Sequence, residues 1–354
     1  MAFSWLSDPY LILAAWAGTV SAVLVLLLAV LILALRANTR GAQARWQAFI
    51  AHWRPQLLAA VSATEAAGAL LPPLHRRDRR HFLRLWLYLH ESLRGEAAQR
   101  LNEAALALHM PRWGTRLLAR GSDTDRVLAA LALGRLQWQP AWPVLLRATH
   151  SRDPLLSVSA ARALVQIDPL EGVRQLLPLL LGRTDWDVSR VGEFLGGARQ
   201  AFWLALTRHL PGAPPAQVAR GLQLAGALRL ELPDTALRPM LQATWPAPVI
   251  RAAVPLAARR ALAPAIIRLL EHPDWQVREA AVAALARFAV ADELPLLERR
   301  LEDERFEVRL TAARALAALP FVQEARLRAL AATSNAGGPV LQQVIAEMAT
   351  GERS

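Results

Sequence analysis

Val277-Arg278 and Val308-Arg309 lie 31 residues apart, each inside a near copy of one short segment. The two copies read DWQVREAAVAAL over 274–285 and DERFEVRLTAARAL over 303–316. Further copies begin at Asp153 (DPLLSVSAARAL), at Asp125 (DRVLAALALGRL), at Asp185 and near Val249, with a degenerate one over 214–228. This period limits the fold more than any other feature. A unit of that size cannot bury its apolar face alone and must stack on its neighbours. In the good copies an Asp stands where its side chain can cap free N–H groups, and Leu or Val recurs at helical spacing. Small Ala residues let neighbouring helices approach, and Pro214-Pro215, Pro246 and Pro273 end one helix and start the next. The expectation is all-α: a solenoid of stacked helix pairs over 119–334, closed by a capping helix and tail over 335–354.

Composition agrees. The chain is 54% apolar and rich in the helix formers Leu and Ala. Cysteine is absent, which excludes a disulfide framework and any thiolate metal site. The net charge is +12, and all 41 basic residues are Arg. Such a charge permits attraction to nucleic acid or anionic lipid and does not choose between them.

The unit D-x-x-V-R-x-x-A-A-x-A-L resembles the HEAT-like repeat, in the short form also found in phycobilisome-lyase-type proteins. Ser157 departs from it, standing where the repeat arginine belongs, as does the stretch around 192–245. Residues 37–118 read as helices leading into the array. Among them the string LHESLRGEAAQRLN is similar to the opening of membrane-tethered HEAT-repeat proteins that accompany bacterial exopolysaccharide glycosyltransferases. The resemblance implies a scaffold with a membrane enzyme as partner.

Residues 1–36 carry an uncharged apolar run from Pro9 to Leu35, more than the roughly 20 residues that span a bilayer. Arg36, Arg40, Arg45 and Arg54 follow it and no basic residue precedes it, while Trp5 and Tyr10 stand where an outer aromatic belt would be. The run reads as a single-pass anchor in the inner membrane, N-terminus outside and solenoid in the cytoplasm. Ala14, Gly18 and Ala22 form a line of small residues where another membrane helix could pack, although small residues are common in such helices.

Candidate chemistry is thin. Asp123-Thr124-Asp125 and Asp185-Trp186-Asp187 have the Asp-x-Asp form that holds a metal against diphosphate, but both fall at helix starts, where capping accounts for them. The eight His residues show no ligand spacing, and there is no phosphate loop or nucleophile elbow. No catalytic, cofactor or metal residue is assigned. Arg278 and Arg309 read as rungs of a structural ladder with the repeat Asp, Asp274 for instance, with binding of acidic peptides in a groove as the other use. Arg76, Arg77, Arg79 and Arg80 form a basic patch suited to anionic lipid or an acidic partner. The functional expectation is a non-enzymatic interaction scaffold. The alternatives are a basic solenoid that binds nucleic acid or anionic lipid, and an enzyme or lyase-like protein acting on a membrane-associated substrate.

Overall fold

The computed structural model describes residues 9–62 and 71–351, all of them helices, short 3-10 turns or loops, with no strand. They fall in two units, Met1–Ala132 and Leu133–Ser354.

In the first unit a helix of 54 residues, α1 (Pro9–Ser62), precedes α2 (Arg79–Ser92), α3 (Gly95–Ala107) and α4 (Met110–Arg120). A fifth helix, α5 (Asp123–Arg135), runs past the boundary between the units. Among the described side chains of α1, only those toward its far end are buried. Phe49, Trp53, Leu57 and Ala60 recur three or four residues apart and so form one stripe, packed on α2 and α3. Trp53 meets Phe82 edge-on at 5.6 Å, and Phe82 meets Trp113 edge-on at 6.3 Å. The indole N–H groups of Trp86 and Trp113 donate to the carbonyls of Leu101 and Leu108, each at 3.0 Å, as buried indoles require.

The near half of α1 corrects an expectation. No helix among the described residues is long and apolar enough to cross a membrane. The single-pass inner-membrane localisation, with its outward N-terminus, is therefore not upheld. Trp5 and Asp8, and the side chains of Tyr10, Ala14, Arg36 and Arg40, lie outside what is described. Gly18 and Ala22 are exposed, and a Cβ built on Gly18 meets nothing within 4 Å.

The second unit is an α-solenoid. Its first helices are α7 (Pro154–Ile167), α9 (Val188–Leu195), α11 (Pro215–Ala227), α13 (Ala247–Ala253), α15 (Trp275–Leu285) and α17 (Phe306–Ala318). Each packs on the next, forming one continuous layer. Ala160, Ala161 and Leu164 in one copy, Ala281, Val282 and Leu285 in another, and Ala312, Ala313 and Leu316 in a third are all buried, so the small residues do bring these helices close. The second helices are α6 (Trp142–Ala148), α8 (Pro169–Gly182), α10 (Arg199–His209), α12 (Asp234–Met240), α14 (Ala263–Leu269), α16 (Leu294–Arg299) and α18 (Glu324–Thr333), and α19 (Gly338–Gly351) closes the array against α17 and α18. Asp153, Asp168, Asp187 and Asp274 cap their helices, each accepting from a backbone N–H two residues on at 2.8–3.0 Å. Two helices end on non-glycine residues in the left-handed region, Gln137 (φ 53) and Arg229 (φ 52). Both close as Schellman turns, with the N–H of Trp138 donating to Leu133 O and that of Leu230 to Ala225 O.

Candidate functional site

The repeat arginines point to backbone rather than to a ligand. Arg278 donates from Nη1 to the carbonyls of His272 (2.9 Å) and Pro273 (3.1 Å), and Arg309 donates in the same way to Asp303 (2.8 Å) and Glu304 (3.1 Å). In both copies the acceptors lie six and five residues before the arginine, at the turn that opens its helix. Asp274 is not the partner of Arg278. It caps α15, while Arg278 takes the carboxylate of Asp303, in the following copy, with Nε and Nη2 at 2.8 Å each. Arg278 and Asp303 are nearly inaccessible, and Arg300 lies 3.8 Å from the same carboxylate. The hydrogen bond to Asp303 holds the Arg278 guanidinium above its ordinary pKa. Burial pushes Asp303 up, but the Arg278 bonds, the Arg305 N–H and nearby arginines outweigh it and leave that carboxyl below its usual range.

Other side chains bridge copies about one period apart. Arg183 donates to the carbonyls of Thr149 (3.2 Å) and Ser151 (2.9 Å), Arg287 to Pro255 (3.3 Å), and Arg300 to Leu270 (2.8 Å). Trp203 does the same with its indole N–H to Glu231 O at 3.2 Å. A turn carbonyl with no helical partner needs a donor, and these arginines supply it. At Ser157, where the repeat arginine is missing, the polarity reverses: Trp186 of the next copy reaches back and donates to the Ser157 hydroxyl at 2.9 Å, both residues fully buried.

The Asp-x-Asp strings are absorbed locally. Asp187 caps α9, Asp185 pairs with Arg183, and Asp125 accepts from the Ser122 hydroxyl and lies 3.3 Å from Arg80. No group of three or more His, Asp or Glu that could hold a metal occurs among the described residues. In the basic patch Arg76, Arg77 and Arg80 are exposed, whereas Arg79 lies over the Trp113 ring at 5.3 Å. Burial and the nearby Arg76 and Arg116 lower the Arg79 pKa. His81 stacks on Trp46 and lies tilted against Phe49, 5.6 Å from each; burial lowers its pKa most, Asp78 opposes, and Arg84, Arg80 and Arg45 lower it further.

An open groove of about 580 Å³ lies between α8 and α10. Leu170, Leu177, Leu204 and Ala205 line its apolar part, and Arg174 and Arg208 stand at its edge. A smaller hollow of about 360 Å³ shares Leu170, Ala201 and Leu204 and extends the groove to Gly197 and Gln200. Leu170 is 66% exposed, unusual for a large apolar side chain on a packed helix. This groove has little signal in the sequence, because the leucines that line it on α8 and α10 read as core positions of their helices.

Residues 236–317, and again 262–349, match the family model for HEAT repeats. The match covers the part of the array where the sequence copies are clearest. Among solved structures, an engineered protein aligns with 81% of this chain and 82% of its own at 19% identity, with a TM-score of 0.27, too low to carry an argument. No curated protein matches. Nothing in these comparisons adds to the likeness with phycobilisome-lyase-type proteins.

Proposed function

We propose that the protein is a non-catalytic scaffold that binds a partner protein along the second helices of its repeats, anchored in the groove between α8 and α10. HEAT repeats commonly mediate protein interaction. The observation that carries the reading is the exposed Leu170 beside the half-buried Leu177 and Leu204, an apolar strip inside an otherwise paired helix layer. Apolar surface of that kind gains free energy when covered, at about 25 cal/mol per Å². Duplex binding fits less well, because the acidic residues of the clearest repeats are structural: Glu302 accepts from the N–H groups of Asn335 and Ala336, and Asp303 holds Arg278.

The test places a photoreactive amino acid at Leu204, and in a second protein at the exposed Gln223 of α11, in cells that express the chain. A discrete protein adduct from position 204 and none from 223 supports the reading. Equal adducts from both positions, or none from 204, overturn it.

A further inference from the structure

The second helices carry a row of arginines that the repeat pattern of the first helices does not predict. Three of these helices share one string, Pro-x-x-x-Arg: Pro143 to Arg147, Pro264 to Arg268 and Pro295 to Arg299. The others also carry an arginine, at 174, 238 and 328 near the same stage and at 208 near the end of α10. At least one arginine thus recurs in each second helix from α6 to α18. Arg174, Arg208, Arg238, Arg268, Arg299 and Arg328 are exposed, and the first two line the same groove.

These arginines differ from those at the turns. Arg183, Arg278, Arg300 and Arg309 are committed to carbonyls or to Asp303, whereas Arg147, Arg208 and Arg268 have no carboxylate within ion-pair distance among the described residues. The carboxylates of the same helices are occupied. Asp234 pairs with Arg259, and Glu298 pairs with Arg326 at 2.7 Å. Arg174 and Arg328 pair with Glu171 and Glu324 one turn away on their own helices, Arg299 lies 3.5 Å from Glu271, and Arg238 donates to the Ala261 carbonyl at 3.5 Å; exposed ion pairs of this kind are worth about 0–1 kcal/mol and exchange readily. α8 and α10 pack side by side, and helices so packed lie about 8–10 Å apart, which sets like charges of adjacent repeats at roughly one Debye length. A linear anion would relieve that repulsion.

We infer that this row binds an extended acidic segment of a partner protein, one carboxylate per repeat. An extended polyproline-type segment rises about 3.1 Å per residue with three residues per turn, so every third side chain returns to the same face after about 9 Å. That matches the helix spacing. A duplex strand does not, since it winds once in about 10 base pairs and carries its phosphates off a straight row within a few steps. The inference rests on the second-helix face being the interaction surface, as proposed above.

The experiment measures binding of the full chain to a fluorescent peptide with Glu at every third position and Pro between. Its comparators are a peptide of the same composition with all Glu at one end, and a DNA duplex. The row variant is Arg208→Gln with Arg268→Gln; the control, Arg190→Gln with Arg314→Gln, removes the same charge from exposed first-helix positions. The periodic peptide is expected to bind the wild type more tightly than the blocked one, and to lose about ten-fold in the row variant and little in the control. Equal affinity for the two peptides, equal loss in both variants, or a preference for the duplex overturns the inference. If the peptide fails while the adduct at position 204 persists, the charge assignment falls and the scaffold reading stands.

Discussion

Arg278 holds Asp303 with two parallel bonds, Nε to Oδ2 and Nη2 to Oδ1, each 2.8 Å, and so links the turn before α15 to the turn before α17. Both groups are buried, and removing one strands the other's charge. Arg278→Ala is expected to destabilise by about 3–5 kcal/mol, and Arg278→Ala with Asp303→Ala by clearly less than the two single losses together. Urea unfolding of the four proteins measures the coupling; additive losses would show that the pair does not act as one.

The same pair sets an acid limit. The folded pKa of Asp303 lies below its ordinary value, so the carboxylate contributes stability above the unfolded value of about 3.9, and that contribution is lost as pH falls through the lowered folded value. Asp303→Asn should be less stable than wild type at neutral pH, with the gap narrowing below pH about 4. Melting temperatures followed from neutral to acid pH check the convergence.

Ser157 and Trp186 give a neutral counterpart. Ser157→Ala leaves the buried indole N–H of Trp186 without its acceptor, at a cost of about 1–3 kcal/mol. Adding Trp186→Phe should not restore stability, because a fully buried indole is replaced by a smaller ring and a void. A double variant as stable as wild type would show that the hydrogen bond carries little.

Two glycines should respond with opposite sign. A Cβ on Gly134 falls 2.6 Å from Ala163 Cα and 2.7 Å from its Cβ, so Gly134→Ala must push two helices apart and should cost about 1–3 kcal/mol. Gly182, at the end of α8, has nothing within 4 Å, and Gly182→Ala should stabilise by about 0.4–1 kcal/mol. Calorimetry on the two proteins reads the difference directly.

His81 should titrate below an ordinary histidine, since burial and the arginines around it disfavour its cation. In an NMR titration Arg84→Gln should move its pKa up, and Asp78→Asn should move it down. Its contribution to stability, present at higher pH, is lost as pH falls through about 6.5 toward the lowered folded value.

The local signals of the repeat were legible. Asp274 caps, and Val277 and Ala281 are buried, because capping and core facing depend on residues within one or two turns. The partner of Arg278 was not legible, since Asp274 and Asp303 are both plausible carboxylates and only the stacking of copies decides between them. Helix α4 lies almost wholly within the stretch 37–118 read as helical, but its start carried no signal: it has no capping side chain, and His109 enters it in the left-handed conformation (φ 55), followed by Met110-Pro111. The second-helix arginines had a signal, Pro-x-x-x-Arg, in a part of each repeat that varies more than the first helix. The Pro9–Leu35 run was read as an anchor from its hydropathy and its flanking arginines and aromatics, whereas no helix among the described residues is long and apolar enough to cross a membrane.

The bonds from Arg278 also decide where the array can be cut. A fragment that stops after Arg299 keeps both helices of the α15–α16 pair, yet it discards Asp303 and leaves a buried guanidinium with only carbonyls to neutralise it. One that continues a few residues, through Arg305, retains the carboxylate and the N–H that orients it. The transferable module of this chain is therefore out of phase with the repeat as written in its sequence, and grafts or deletions should be framed from turn to turn.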